Sequence, residues 1–186
     1  CTASRHCYHR DMKTSSFLPG IALCALLLSS ALAPAASRTR HAVSLGVRHH
    51  AEHTAFIELP YDDGDVSYGL SYEFHESAGY WQLGANYASE VGSNTVDYVV
   101  TPHVNLIFKD RYWRGGIGAL STYIRDKVTD EGDWTDIYGQ FLFGIAIPLG
   151  GLNFELHAAY PFEDFNALSD FEFEDIDIVG WLGLSF

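Results

Sequence analysis

The chain has 186 residues, enough for one domain, and its 24 acidic against 11 basic side chains give a formal net charge of −13. Phosphate recognition needs a basic footprint, so this balance argues against nucleic acid as a partner. The three cysteines, Cys1, Cys7 and Cys24, all lie near the start, so the remainder offers no disulfide framework, thiolate metal site or cysteine nucleophile.

Residues 1–11 have no apolar periodicity, and the first methionine is Met12. Lys13, the apolar run from Ile21 to Leu28 and the small residues Ala33, Ala35 and Ala36 read as a secretory signal cleaved after Ala35. Counted on through Ala33 the stretch is about 13 residues, too short to cross a bilayer as a helix. Residues 1–11 are then an over-extended start, 12–35 the signal peptide and 36–186 the mature domain.

From residue 36 onward the pattern is alternation, which means strands with two different faces. Eight such segments are expected. The first, about 42–50, sets Val43, Leu45 and Val47 against Ser44, Gly46 and Arg48. Residues 51–65 are polar apart from a short apolar run at 56–59, where the first strand could extend or resume. The second, 66–76, sets Tyr68, Leu70, Tyr72 and Phe74 against Ser67, Gly69, Ser71, Glu73 and His75. The third, 80–89, sets Trp81, Leu83 and Tyr87 against Gln82, Gly84 and Asn86. The fourth sets Tyr98, Val100, Pro102, Val104, Leu106 and Phe108 against Val99, Thr101, His103, Asn105 and Ile107. Pro102 cannot donate to a ladder and marks a flaw in it. The fifth, 112–124, opposes Trp113, Ile117 and Tyr123 to Arg114, Gly116, Gly118 and Thr122. The sixth, 135–147, opposes Phe141, Phe143, Ile145 and Ile147 to Tyr138, Gln140, Gly144 and Ala146. The seventh, 152–160, opposes Phe154, Leu156 and Tyr160 to Asn153, Glu155 and His157, and the eighth runs from Ile176 to Phe186 with Asp177 on the polar face.

Connections alternate short and long, and one face is uniformly apolar while the other mixes glycine, small polar residues and isolated charges. Segments of about 10 residues match a tilted membrane-crossing strand, and closure leaves no unpaired edge toward lipid. Aromatic residues gather near segment ends as an interface girdle would: Tyr68, Tyr80, Trp81, Tyr98, Trp113, Tyr123 and Tyr160. A soluble lipocalin-like barrel or sandwich would need a polar exterior instead. The expected fold is all-β, an eight-stranded antiparallel up-and-down transmembrane barrel.

The last strand, alternating to a bare Phe186, resembles the C-terminal signature of bacterial outer-membrane β-barrels. The whole mature chain resembles in pattern the small eight-stranded members of that class, the OmpX, OmpA-membrane-domain and lipid-A-deacylase types. The resemblance implies location in the bacterial outer membrane, contact with its lipid and lipopolysaccharide, and reading of Phe186 by the outer-membrane assembly machinery. Deacylases of this fold use a His-x-Ser pair near the extracellular end of a strand. Here the pair is His75 and Ser77 at a short turn, and His157 is followed by two alanines, so the implied nucleophile is missing.

The inward register collects Arg48, Glu73, His103, Arg114, Glu155, His157 and Asp177, with Gln82, Asn86, Asn105 and Gln140. An eight-stranded barrel is just wide enough for side chains to fill it, and unpaired charge there is costly, so these groups form a structural plug. Only residues at one depth can meet. His49, His50 and His53 could share a metal only if their loop folds back, and the acidic loops at 62–65 and 130–133 lack calcium-motif spacing. No cofactor and no resident metal are expected; the acidic loops read as a solvated face, with weak divalent-cation binding there as the minor alternative. The expected role is structural or surface-interacting through acidic extracellular loops, with a lipid-modifying enzyme or a narrow channel as alternatives.

Overall fold

Alternation becomes ten antiparallel strands in a computed structural model: β1 (His41–His49), β2 (Val66–His75), β3 (Gly79–Ser89), β4 (Val96–Lys109), β5 (Trp113–Leu120), β6 (Tyr123–Asp126), β7 (Gly132–Trp134), β8 (Tyr138–Leu149), β9 (Leu152–Phe162) and β10 (Asp177–Ser185). The structure describes residues 41–51, 59–89, 91–92, 96–165 and 171–186. The expected signal peptide, the over-extended start, His53 and most of the apolar run at 56–59 lie outside them.

The pairings run β3-β2-β1-β10-β9-β8-β5-β4, and β3 pairs again with β4, so eight strands close into an antiparallel barrel. The short turns at 76–78, 110–112 and 150–151 share one end with the first and last strand ends, where the Phe186 N–H donates to the His41 carbonyl. This is called the turn end here. The longer connections lie at the opposite, loop end.

The expected fifth strand, 112–124, is two strands. β5 pairs with β4 as far as His103↔Leu120, and β6 resumes at Val100↔Tyr123. The Ser121 N–H still reaches the Pro102 carbonyl at 3.3 Å, so the donor that Pro102 lacks would have faced this same gap. Ser121 and Thr122 turn to Thr135 instead: the Thr122 N–H donates to Thr135 Oγ1 at 2.9 Å and the Thr135 N–H returns to the Thr122 carbonyl at 2.9 Å. β6 then pairs with β7 as a ribbon above the barrel, which moves the next barrel strand's start from the expected 135 to Tyr138.

The strands are tilted. From His49 at the loop end, successive pairs lead to Ile178, Ala158, Phe143, Gly115, Phe108 and Gly79, already beside the β2–β3 turn at the other end. One circuit therefore descends about ten residues of strand, the shear a narrow eight-stranded barrel requires.

Charged and amide side chains face inward and are buried, whereas Leu70 (56%), Leu83 (54%) and Phe143 (61%) are representative of the exposed outer wall. Trp181 is the largest ring in the middle of the lumen, packed with Tyr80, Ile107, Leu142, Ala159 and Val179. Glycine makes room for it: a Cβ at Gly46 or Gly69 would collide with the indole.

Two expected girdle positions are corrected. Tyr80 precedes Gln82 by two residues on β3, so it shares the inward face and is buried in the lumen. Tyr160 sits on the outward parity of β9, but the ring of Phe171 covers it at a 4.8 Å centroid distance. Tyr68, Trp81 and Trp113 are exposed on the outer wall.

Candidate functional site

The interior polar residues divide by depth. Near the turn end, Glu155 on β9 uses all four of its acceptor positions. Arg114 Nε donates to Oε1 at 3.0 Å and Asn153 Nδ2 at 2.6 Å, while Tyr80 OH donates to Oε2 at 2.5 Å and His157 Nε2 meets it at 3.0 Å. Arg114 is also tethered to its own turn, donating through Nη1 to the carbonyls of Asp110 (2.8 Å) and Trp113 (3.0 Å). Beside this group Glu73 accepts from Ser44 Oγ at 2.6 Å and meets His75 Nε2 at 2.9 Å, and the His75 ring stacks on Tyr80 at 4.6 Å.

Near the loop end, Arg48 Nε donates to Asp177 Oδ2 at 2.6 Å, with both side chains buried. The Ala51 N–H donates to the other carboxylate oxygen at 2.8 Å, and His50 Nδ1 lies 3.4 Å from Oδ2. His50 shares a hydrogen bond with Ser67 Oγ and lies flat against the Tyr61 ring, 3.5 Å between centroids and 5° between planes. Tyr61 enters from the β1–β2 loop and shares a 2.7 Å hydrogen bond with Thr101, which meets Thr122 at 3.0 Å. Burial pushes the Tyr61 phenol up to about 12, against the opposing effect of the Thr101 hydrogen bond. Asp65 secures this loop by accepting the N–H groups of Asp62 and Gly92, both at 2.8 Å.

Three amides join the two depths. Arg48 Nη1 donates to Gln140 Oε1 (3.3 Å), Gln140 Nε2 to Asn105 Oδ1 (2.6 Å), Asn105 Nδ2 to Gln82 Oε1 (2.9 Å), and Gln82 Nε2 to Glu73 Oε1 (3.4 Å). A guanidinium has only donors and a carboxylate only acceptors. The two ends therefore permit one orientation for every amide between them.

Of the seven charged or titratable positions expected inside, the structure brings Arg48 to Asp177, and Arg114 with His157 to Glu155. Glu73 joins through the amide chain. His103 shares no described hydrogen bond with these six, and its ring tilts against Trp181 at a 5.9 Å centroid distance. Sequence reasoning missed Tyr80, although its parity with Gln82 was a signal. It also missed Tyr61, which enters the site through a loop that alternation does not reach, and His50, although its parity with Arg48 on the expected first strand was a signal.

The His75 and Ser77 pair sits at the turn end, and Glu73 holds the histidine. Among the described residues no three His, Cys, Asp or Glu side chains converge as a metal site. What the fold and site define is a closed eight-stranded barrel with a filled, hydrogen-bonded polar interior and an apolar outside. No protein-family model matches the chain, and no curated protein matches it either.

Proposed function

We propose that this chain is an integral protein of the bacterial outer membrane, exported by a signal peptide at 12–35. It would act as a structural or surface-interacting barrel with a plugged lumen and acidic extracellular loops. The observation that carries this reading is the inversion of polarity. A barrel in water keeps its apolar face inside. This one buries Arg48, Glu73, Glu155 and Asp177 and exposes Leu45, Leu70, Leu83, Phe108, Phe143 and Leu182.

The height of the wall supports it. On β4 the outward residues between Tyr98 and Phe108 span about ten residues, which at ~3.3 Å each and a tilt near ~40° is roughly 25 Å, the apolar band of such barrels. Exposed aromatics mark both edges, with Trp81, Phe108 and Trp113 below and Tyr68 and Tyr87 above. The short turns and both strand termini are then periplasmic, Phe186 faces the assembly machinery, and the acidic loops face lipopolysaccharide and its divalent cations. The interior favours the plug over the narrow-channel and lipid-modifying alternatives. Its charges are engaged with one another at two depths, and Trp181 occupies the space between.

The membrane reading is tested by migration on gels with and without heating after detergent extraction. A compact unheated band that shifts on boiling is expected; identical migration together with partition into the aqueous phase would end the proposal. Planar bilayers separate plug from channel, because the plugged barrel leaves the conductance at baseline and a channel gives discrete steps.

A further inference from the structure

We propose that the two described ends of the β9–β10 connection, 163–165 and 171–175, form a membrane-surface anchor, laid against the outside of the barrel wall with Phe165, Phe171 and Phe173 in the lipid headgroup boundary; this rests on the membrane reading above. Phe165 is 70% exposed, Phe171 43% and Phe173 82%, in a connection that also carries Glu163, Asp164, Asp170, Glu172, Glu174 and Asp175. Exposed phenylalanines on a solvated loop cost solubility, so their position decides what they do.

They are on the wall, not over the mouth. Phe171 stacks on Tyr160 at 4.8 Å, and Phe165 packs on Phe162 at 5.3 Å, which in turn stacks on Phe141 at 4.8 Å. Tyr160, Phe162 and Phe141 belong to the outward register of β9 and β8, continuous with the apolar positions Phe143 and Ile145 below.

They are also at the right height. Tyr160 follows Ala159, which pairs with Asp177, and Tyr68 follows Ser67, which pairs with Arg48. The Arg48–Asp177 salt bridge ties these pairs to one depth, so Phe171 rests level with Tyr68 at the upper aromatic edge. The intervening acid does not oppose this. Glu172 has extended backbone (φ −120°, ψ 141°), which puts Phe171 and Phe173 on one side, their rings 5.0 Å apart, and the carboxylate on the other. Phenylalanine toward lipid and carboxylate toward water is the division an interfacial segment needs.

The test is depth-resolved quenching in phosphatidylcholine vesicles. Full-chain variants with Cys1, Cys7 and Cys24 replaced by serine carry one labelled cysteine at Phe173, at Thr129 in the β6–β7 hairpin, or at Leu83 on the outer wall. The Phe173 label is expected to be quenched most by a nitroxide placed near the headgroup end of the acyl chain, and several-fold less than the Thr129 label by an aqueous quencher. Aqueous quenching at Phe173 equal to that at Thr129, with the Leu83 label still quenched from within the lipid, overturns the anchor and leaves the barrel's insertion standing. Loss of lipid quenching at Leu83 overturns the membrane reading and the anchor with it. Phe173 is so exposed that its replacement removes little packing, and Phe165→Cys, labelled in the same way, is expected to repeat the result.

Discussion

Replacing Asp177 by alanine would leave the Arg48 guanidinium buried with no carboxylate. The salt bridge is 2.6 Å long between side chains 5% and 1% exposed. At an effective dielectric of about 20, a unit pair at that separation gains about 6 kcal/mol before desolvation is subtracted. Both ions have already lost water, so the net value of the pair is far smaller than this. The cost of breaking it is not. A stranded buried charge costs about 3–5 kcal/mol, and the Ala51 N–H loses its acceptor as well. Urea unfolding of the detergent-folded barrel, followed by the unheated gel band, should show Asp177→Ala destabilised by about that amount. The double variant Arg48→Met with Asp177→Leu removes both charges and should recover most of the loss, leaving a coupling energy of about 3 kcal/mol. If the double variant is as unstable as the sum of the singles, the two side chains do not act as a pair and the upper depth is held by other contacts.

Other outcomes follow from packing and from ionisation. Gly46→Leu drives a side chain into the Trp181 indole and should abolish the compact gel band, whereas Gly46→Leu combined with Trp181→Ala should restore part of it. Trp181→Ala alone opens a cavity in the lumen and should cost about 3–5 kcal/mol by the same urea assay. The Tyr61 phenol, normally near 10 and raised to about 12 on folding, favours the folded state while protonated. Its contribution is complete below pH 10 and is lost as pH rises from 10 to 12, so Tyr61→Phe should flatten the alkaline decline in unfolding midpoint over that window. An unchanged slope would mean the phenol is wet.

Much of the wall was legible because strand parity is a local property. Glu73 and Tyr72 differ by one residue, and that alone places one in the lumen and the other outside. Depth is not local. Nothing in a single strand says that Arg48 meets Asp177 while Arg114 meets Glu155, because depth depends on a shear accumulated around the whole ring. The break after Leu120 was half visible: Pro102 announced a missing donor, but not that Thr135 would supply the replacement. Tyr61 was out of reach for a different reason. It lies in the β1–β2 loop, where the chain leaves the period of two and long-range packing decides its course. His50 keeps the parity of Arg48 and was legible as an inward residue. Tyr160 had the expected parity, and neighbours from other segments, Leu120, Tyr138 and the ring of Phe171 among them, took it off the surface.

The amide chain between Arg48 and Glu73 has a further consequence. A line of hydrogen bonds carries a proton only if each member can hand one forward and then turn to receive the next. Amides surrender a proton poorly, and here Gln140, Asn105 and Gln82 are held in one direction by a cation at one end and an anion at the other. Reversing any one of them would set donor against donor and acceptor against acceptor at its neighbours. The amide line is thus fixed in one direction, with a built-in dipole that resists the turnover proton conduction requires.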